Sequence, residues 1–340
     1  MGKITWVTSM ILTASLIGLA GCSEKTTREK ELEKKIVELQ KQIELEKKEA
    51  LDKDKEKPLE EKNEEEVILV EVVDPNTKQV IKTINPLELG FGTDNENYKK
   101  EIEGWVKTIA RGTETINGYD QRMIPDKLDE NGQVIKGSPR IILEESELVE
   151  KVINASLKGG TVELPLYVTE SGYKPEEVSN LGEVAIASFT TYFNSSVAGR
   201  TKNIELSAHA INNVIVGVGD IFSFNTTVGP SDEAHGYQKA MEAVNGKLVE
   251  GIGGGICQTS STLFNAVDKL GVAYVEKHHH SVNVGYVPKG RDATVSYGGL
   301  DFRFQNTTGA PFLLKAVINK GALTIEVRTS KANQSLIVNR

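Results

Sequence analysis

The sequence predicts an α+β protein: two folded units behind a charged N-terminal tether. Three observations carry that prediction. β-Rich runs, such as Val67-Ile68-Leu69-Val70-Glu71-Val72-Val73 and residues 184–193, alternate with amphipathic stretches such as 97–111 and 258–270. Residues 24–66 are dominated by Glu, Lys and Asp, with no glycine and one proline, Pro58. The 340-residue chain leaves enough sequence beyond residue 67 for two modest domains. The expected division is 1–21, 22–66, 67–182 and 183–330.

Residues 1–21 read as a secretory leader. Lys3 supplies the positive start, and Ile4–Ala20 is mostly apolar but short for a membrane span. Leu19-Ala20-Gly21-Cys22 resembles a bacterial lipobox. That resemblance implies cleavage before Cys22 and lipidation of its thiol, which would hold the chain on the outer face of a membrane. In the tether, Leu32, Ile36, Leu39 and Ile43 form a heptad-like stripe of under two heptads. The charge density after Ala50 predicts a solvated, partly helical or disordered linker. The reach of the whole tether is roughly 65 Å if helical and roughly 140 Å if extended.

The folded elements follow in order. Residues 67–73 and 79–84 read as strands joined at Asp74-Pro75-Asn76-Thr77. Helices are predicted over 97–111, with Ile102, Trp105, Val106 and Ile109 on one face, and over 145–158, ended by Gly159-Gly160. A strand is predicted over 161–169. The second unit opens with a strand at 184–193, a helix at 200–211 and a short strand at 220–224. A helix at 258–270 buries Leu263, Phe264, Ala266, Val267 and Leu270. Strands are expected at 273–287, 293–297 and 300–305, and a closing hairpin turns at Asn319-Lys320-Gly321.

Cys257 is the most informative residue. It follows Gly253-Gly254-Gly255-Ile256 and stands at the predicted start of the 258–270 helix. A thiol there feels the positive helix end, which favours the thiolate. Glycines allow a sharp turn and close substrate approach. With Cys22 lipidated, Cys257 has no disulfide partner in this chain, since the sequence holds two cysteines. A structural reading, a small buried hydrophobe, competes with the reactive one.

A cysteine nucleophile needs a base and a group to orient that base. His278, His279 and His280 lie downstream of Cys257. The order of thiol on a helix, histidine on a strand and acid on the next strand matches papain-like and transglutaminase-like enzymes by layout alone. If 278–301 is one hairpin turning near Pro288-Lys289-Gly290, Asp301 faces His278 and is a diagonal neighbour of His280. Asp292 would then sit roughly 23 Å along the strand from His280. If 281–291 is instead an irregular loop, Asp292 can fold back and compete.

Other classes fit less well. On a strand only His278 and His280 share a face, and no second ligand cluster accompanies them, so no metal is expected. The triple glycine lacks the Lys-Ser/Thr of a phosphate loop, and no cofactor is implied. A net charge of −8 with no basic patch argues against nucleic acid.

The ordered motifs Phe222-Ser223-Phe224-Asn225, Val228-Gly229, Gly236-Tyr237, Gly253-Gly254-Gly255-Ile256-Cys257-Gln258, His278 and His280-Ser281, Tyr286-Val287-Pro288, Asp292-Ala293-Thr294-Val295 and Asp301-Phe302 resemble the VanW family. Arg200 and Asn203-Ile204 resemble the opening of that family's domain. Residues from about 87 to 180, with Val162-Glu163-Leu164-Pro165, resemble a peptidoglycan-binding domain often found before it. Departures are His279, where proline is common, and Lys277, where arginine is usual. The resemblance implies a peptidoglycan L,D-transpeptidase with Cys257 as nucleophile. It implies His280 or His278 as base, Asp301 or Asp292 as orienting acid, and an oxyanion site near the Cys257 and Gln258 amides. The implied partners are peptidoglycan stem peptides, and the membrane through the N-terminal lipid. Two rivals stand beside it: a non-catalytic wall-binding module, and a cysteine amidase or carboxypeptidase acting on the same stems.

Overall fold

A computed structural model describes residues 27–53, 67–244 and 247–338. The leader 1–21 and Cys22 lie outside the described residues. Helix α1 (Thr27–Lys53) spans 27 residues, a rod of about 40 Å. Ile36, Leu39 and Ile43 pack against the first hydrophobic cluster, and Lys35 Nζ meets Glu150 Oε1 at 3.0 Å. Covering that apolar stripe is what holds an otherwise charged helix to the body. Among the described residues no helix is long and apolar enough to cross a membrane.

The first unit runs through β1 (Val70–Val73), β2 (Val80–Ile84), α2 (Asn95–Arg111), β3 (Lys127–Leu128), β4 (Val134–Ile135), β5 (Arg140–Leu143), α3 (Glu145–Ala155), β6 (Gly160–Glu163) and β7 (Leu166–Thr169). β1 pairs antiparallel with β2 and parallel with β6. α2 and α3 cover this sheet with Ile102, Val106, Leu148 and Val152, all buried beside Val70 and Val72. The single strand expected over 161–169 is two strands in different sheets, because β7 pairs with β5 instead. Pro165 stands at the break, where a missing N–H interrupts any ladder.

The second unit runs through β8 (Val184–Tyr192), α4 (Ala198–Ile211), β9 (Ile215–Val216), β10 (Ile221–Ser223), α5 (Phe224–Val228), β11 (Lys239–Val244), β12 (Lys247–Ile252), α6 (Ile256–Val267), β13 (Ala273–Glu276), β14 (Arg303–Gln305), β15 (Phe312–Asn319), β16 (Ala322–Thr329) and α7 (Gln334–Val338). Its main sheet has the order β8-β16-β15-β9. The β15–β16 hairpin turns at Lys320 (φ 48°) and Gly321 (φ 81°), the two left-handed residues a tight hairpin turn requires. β16 alternates inward Leu323, Ile325 and Val327 with half-exposed residues. α6 packs on β8 and β16 and is buried along nearly its whole length. A smaller sheet, β10-β14-β13, closes the other side with an aromatic cluster. Phe302 lies 5.8 Å from Phe264 edge-on and 5.7 Å from Phe304, which stacks on Phe222 at 5.1 Å.

The long hairpin expected over 278–301 does not form. β13 and β14 pair Glu276 with Arg303, and His278 opposite Asp301 would continue that register. The ladder stops there, and residues 277–302 are irregular. Gly285, Gly290 and Gly298 take positive φ angles, and the His280 N–H goes to the Asp292 carboxylate at 2.6 Å instead of a strand partner.

Phe302 is fully buried and touches three other aromatic rings. Phe302→Ala is expected to cost about 3–5 kcal/mol, read as a lower denaturant midpoint at unchanged slope.

Candidate functional site

The Gly253–Gly255 turn feeds α6 and sets the position of Cys257. Gly253 (φ 93°) and Gly255 (φ 116°) hold left-handed angles. A Cβ on Gly254 would lie 2.7 Å from the Ala240 backbone carbon and the Met241 carbonyl oxygen, so β11 can pass only a glycine there. Buried Asn203 of α4 fixes the turn from the other side: its Nδ2 donates to Gly254 O at 3.0 Å and to Gln238 O at 2.8 Å. Gly255 is the N-cap, so Cys257 lies in the first turn of α6 as the sequence predicts.

The thiol is half-buried and donates to Val295 O at 3.3 Å. Burial pushes it above its ordinary value. Arg200 pulls the other way, and Glu242 and Asp292 add to the rise. The thiolate expected from the helix dipole is therefore not the resting form, because desolvation outweighs the favourable influences.

The same strip of chain that accepts the thiol hydrogen also carries the acid. Ser260 Oγ donates to Ala293 O at 2.5 Å, and Ser261 Oγ accepts from Ala293 N at 2.9 Å. One residue earlier, Asp292 Oδ2 accepts from the His280 ring Nδ1 at 2.7 Å. Because a carboxylate only accepts, Nδ1 carries a hydrogen, and in the Nδ1–H tautomer Nε2 is the acceptor. Among the described residues that Nε2 has no partner. Burial alone would raise the Asp292 carboxyl, but the bonds from His280 and His279 outweigh it and hold the group below the usual range.

His280 and Cys257 line one cleft of about 1040 Å³. Its other walls come from α4, α5, the β11–β12 hairpin and residues 281–300, and include Arg200, Glu242 and Tyr286. The Cys257 amide has no acceptor among the described residues and stands free at the helix start. The Gln258 amide does not, since it donates to Gly255 O at 3.0 Å. The Gln258 side chain is buried and donates to Thr191 Oγ1 and Tyr192 O, each at 3.0 Å. Gln258 is thus a structural anchor, not the expected oxyanion donor.

Two further expected residues fall elsewhere. Asp301 makes no contact with a histidine. Its fully buried carboxylate accepts from Ser223 Oγ (2.6 Å), Arg122 Nη1 (3.0 Å) and the amides of Asn225 (2.9 Å) and Phe302 (2.8 Å). Those bonds leave it no capacity to orient an imidazole. His278 meets Glu276 Oε1 at 3.0 Å and does not line the cleft. His279, in contrast, shares Asp292 with His280 at 3.1 Å, which an irregular backbone permits and a strand would not. Lys277 Nζ lies 2.7 Å from His279 Nε2 and can only donate, so His279 too directs its Nδ1 hydrogen at Asp292. No group of three or more His, Cys, Asp or Glu suited to a metal occurs among the described residues.

The geometry gives two expected outcomes. Alkylation of Cys257 in the ligand-free protein should rise with pH through a midpoint above that of free cysteine measured alongside; a lower midpoint would contradict the desolvated thiol. The second concerns Asp292, whose folded value is depressed from 3.8, so its stabilisation is full above that value and is lost as pH falls below it. Asp292→Asn should therefore unfold about 1–3 kcal/mol more easily at neutral pH, with the gap to wild type closing as pH drops below about 4. A gap that persists in acid would refute this assignment.

Comparison with known proteins accords with the motifs. The VanW like protein family profile matches residues 199–328, which hold Cys257, His280 and Asp292. The chain is 38% identical over 239 residues to the uncharacterized protein YoaR of Bacillus subtilis, covering 70% of this chain and 76% of that one. It is 29% identical over 139 residues to the vancomycin B-type resistance protein VanW of Enterococcus faecalis, covering 39% of this chain and 50% of that one. No solved structure matches. On the shared length and identity with these relatives, this chain belongs to the VanW family.

Proposed function

We propose that this chain is a cysteine-dependent L,D-transpeptidase of peptidoglycan stem peptides, held by a lipid on Cys22 at the outer face of the cell membrane. The VanW kinship supports a cell-wall role. The observation that carries the chemistry is the oriented His280–Asp292 pair in the cleft that holds Cys257.

In this reading Cys257 Sγ attacks the carbonyl between the L-centre and the terminal D-residue of a donor tetrapeptide. The thiol proton passes to His280 Nε2, and Asp292 stabilises the imidazolium. The Cys257 amide, unpaired at the helix start, faces the developing oxyanion. The C–N bond then breaks, His280 returns the proton to the departing D-Ala nitrogen, and a thioester remains. An acceptor amine attacks that thioester and gives its proton to Nε2. The C–S bond breaks and the sulfur recovers the proton, leaving a 3→3-type cross-link. A neutral thiol at rest suits this order, since deprotonation is needed only once a carbonyl has displaced the Val295 contact.

One observation favours a second reading. The raised, hydrogen-bonded thiol is also what a packed structural cysteine would show, as in a wall-binding module without chemistry. Full-length wild type and Cys257→Ala should be incubated with peptidoglycan tetrapeptide fragments and the products weighed by mass spectrometry. Cross-linked dimers that lose D-Ala and depend on Cys257 are expected. Tripeptide alone would make the protein a carboxypeptidase, and no Cys257-dependent product would leave the binding module.

A further inference from the structure

Arg200 is the unusual charge in the cleft. Arg111, Arg122, Arg291, Arg303 and Arg328 each face a carboxylate, at 2.6 to 3.7 Å; of the arginines whose side chains are described, Arg140, which lies outside the cleft, and Arg200 do not. Arg200, in the first turn of α4, faces none among the described residues. Its held contacts are neutral: Nη2 donates to Gln258 Oε1 at 2.8 Å, and the guanidinium lies 6.0 Å from the centre of the Tyr286 ring. Gln258 is itself fixed by Thr191 and Tyr192, so the guanidinium is aimed without being neutralised. Gly255 lets the stem of Arg200 pass, since a Cβ there would come within 3.1 Å of Arg200 Cγ. Glu242, on the hairpin wall of the cleft, makes no ion pair with it among the described residues. Burial lowers the Arg200 guanidinium, as expected for a cation taken from water without a counter-ion.

A desolvated, pre-aimed guanidinium with unused N–H donors lacks only an anion, and its planar fork matches a carboxylate. Resting on the function proposed above, we infer that Arg200 is a specificity residue that receives a carboxylate of the donor peptide and registers the scissile amide over Cys257. Two carboxylates of a stem can supply that chemistry: the terminal one, a single residue past the scissile carbonyl, and a side-chain one further back. Registry on the terminal carboxylate would also fix chain length, because one added residue moves it by about 3.5 Å.

Binding, not turnover, tests this. Full-length Cys257→Ala is titrated calorimetrically with a synthetic tetrapeptide stem, the same stem amidated at its terminus, and the same stem amidated at its side-chain carboxylates. The titrations are repeated with Arg200→Gln and Arg200→Lys added, each first checked for a native unfolding transition. One amidation should weaken binding by about 10- to 100-fold, and that peptide names the carboxylate. Arg200→Gln should erase the difference between acid and amide, and Arg200→Lys should keep part of it. A merely structural arginine would weaken all three peptides alike. Equal affinities, a preference that survives Arg200→Gln, or no binding by the folded protein would overturn the inference. The outcome is separable from that of the enzyme reading. Carboxylate selection without Cys257-dependent product would refute the transpeptidase and leave Arg200 as a ligand residue, whereas product without selection would do the reverse.

Discussion

Everything in the cleft depends on how an irregular stretch of backbone satisfies its polar groups. Residues 277–302 leave the β13–β14 ladder and make no other. Buried N–H and C=O groups without a partner are costly, so side chains must take the place of the missing strand. α6 provides several of them: Ser260 and Ser261 hold both backbone groups of Ala293, and Asn265 Nδ2 holds Arg291 O at 2.7 Å. Asn225 of α5 holds Ser296 O and Leu300 O at 2.8 and 2.9 Å. A buried helix face of Ser, Thr and Asn is a poor hydrophobic surface but a good template. It fixes the loop to the helix that carries the thiol, and the histidine–carboxylate pair comes with it.

The electrostatic arrangement follows from the same enclosure. Packing the loop onto α6 buries the sulfur, and desolvation then opposes the helix dipole that would ionise it. The surrounding charges divide, with Arg200 favouring the thiolate while Glu242 and Asp292 oppose it. The result is a protonated thiol in the same cleft as a histidine whose Nδ1 hydrogen is directed at Asp292.

Much of this was legible in the residues, for physical reasons that can be named. The glycine run before Cys257 marked the turn and helix start, because two positions need positive φ and one needs an absent Cβ. The β15–β16 hairpin was legible from its alternation and its Lys-Gly turn. Asn245-Gly246 was an equally strong hairpin signal, and it marks the β11–β12 arm that brings Met241 and Glu242 to the cleft, which the sequence reading missed. The hairpin reading, which favoured Asp301, assumed that a ladder, once begun, continues; the irregular-loop reading, which kept Asp292 open, did not. The register opposite Arg303 agrees with that assumption, but the Asp292 carboxylate captures the His280 N–H and ends the strand. Side-chain capture of backbone groups leaves little periodic signature, so no alternation of apolar residues announces it. Arg200 was visible as a motif residue but not as a cleft residue, since its neighbours Gln258 and Tyr286 are distant in sequence.

The contact between Arg122 and Asp301 ties the first unit to the wall of the cleft. Asp301 is buried and its carboxylate is already divided among a hydroxyl, two amides and one guanidinium that comes from 179 residues away. In evolutionary terms the two positions are not free to drift separately. Loss of Arg122 leaves a buried charge beneath residues 296–301, while loss of Asp301 leaves Arg122 with nothing to grip.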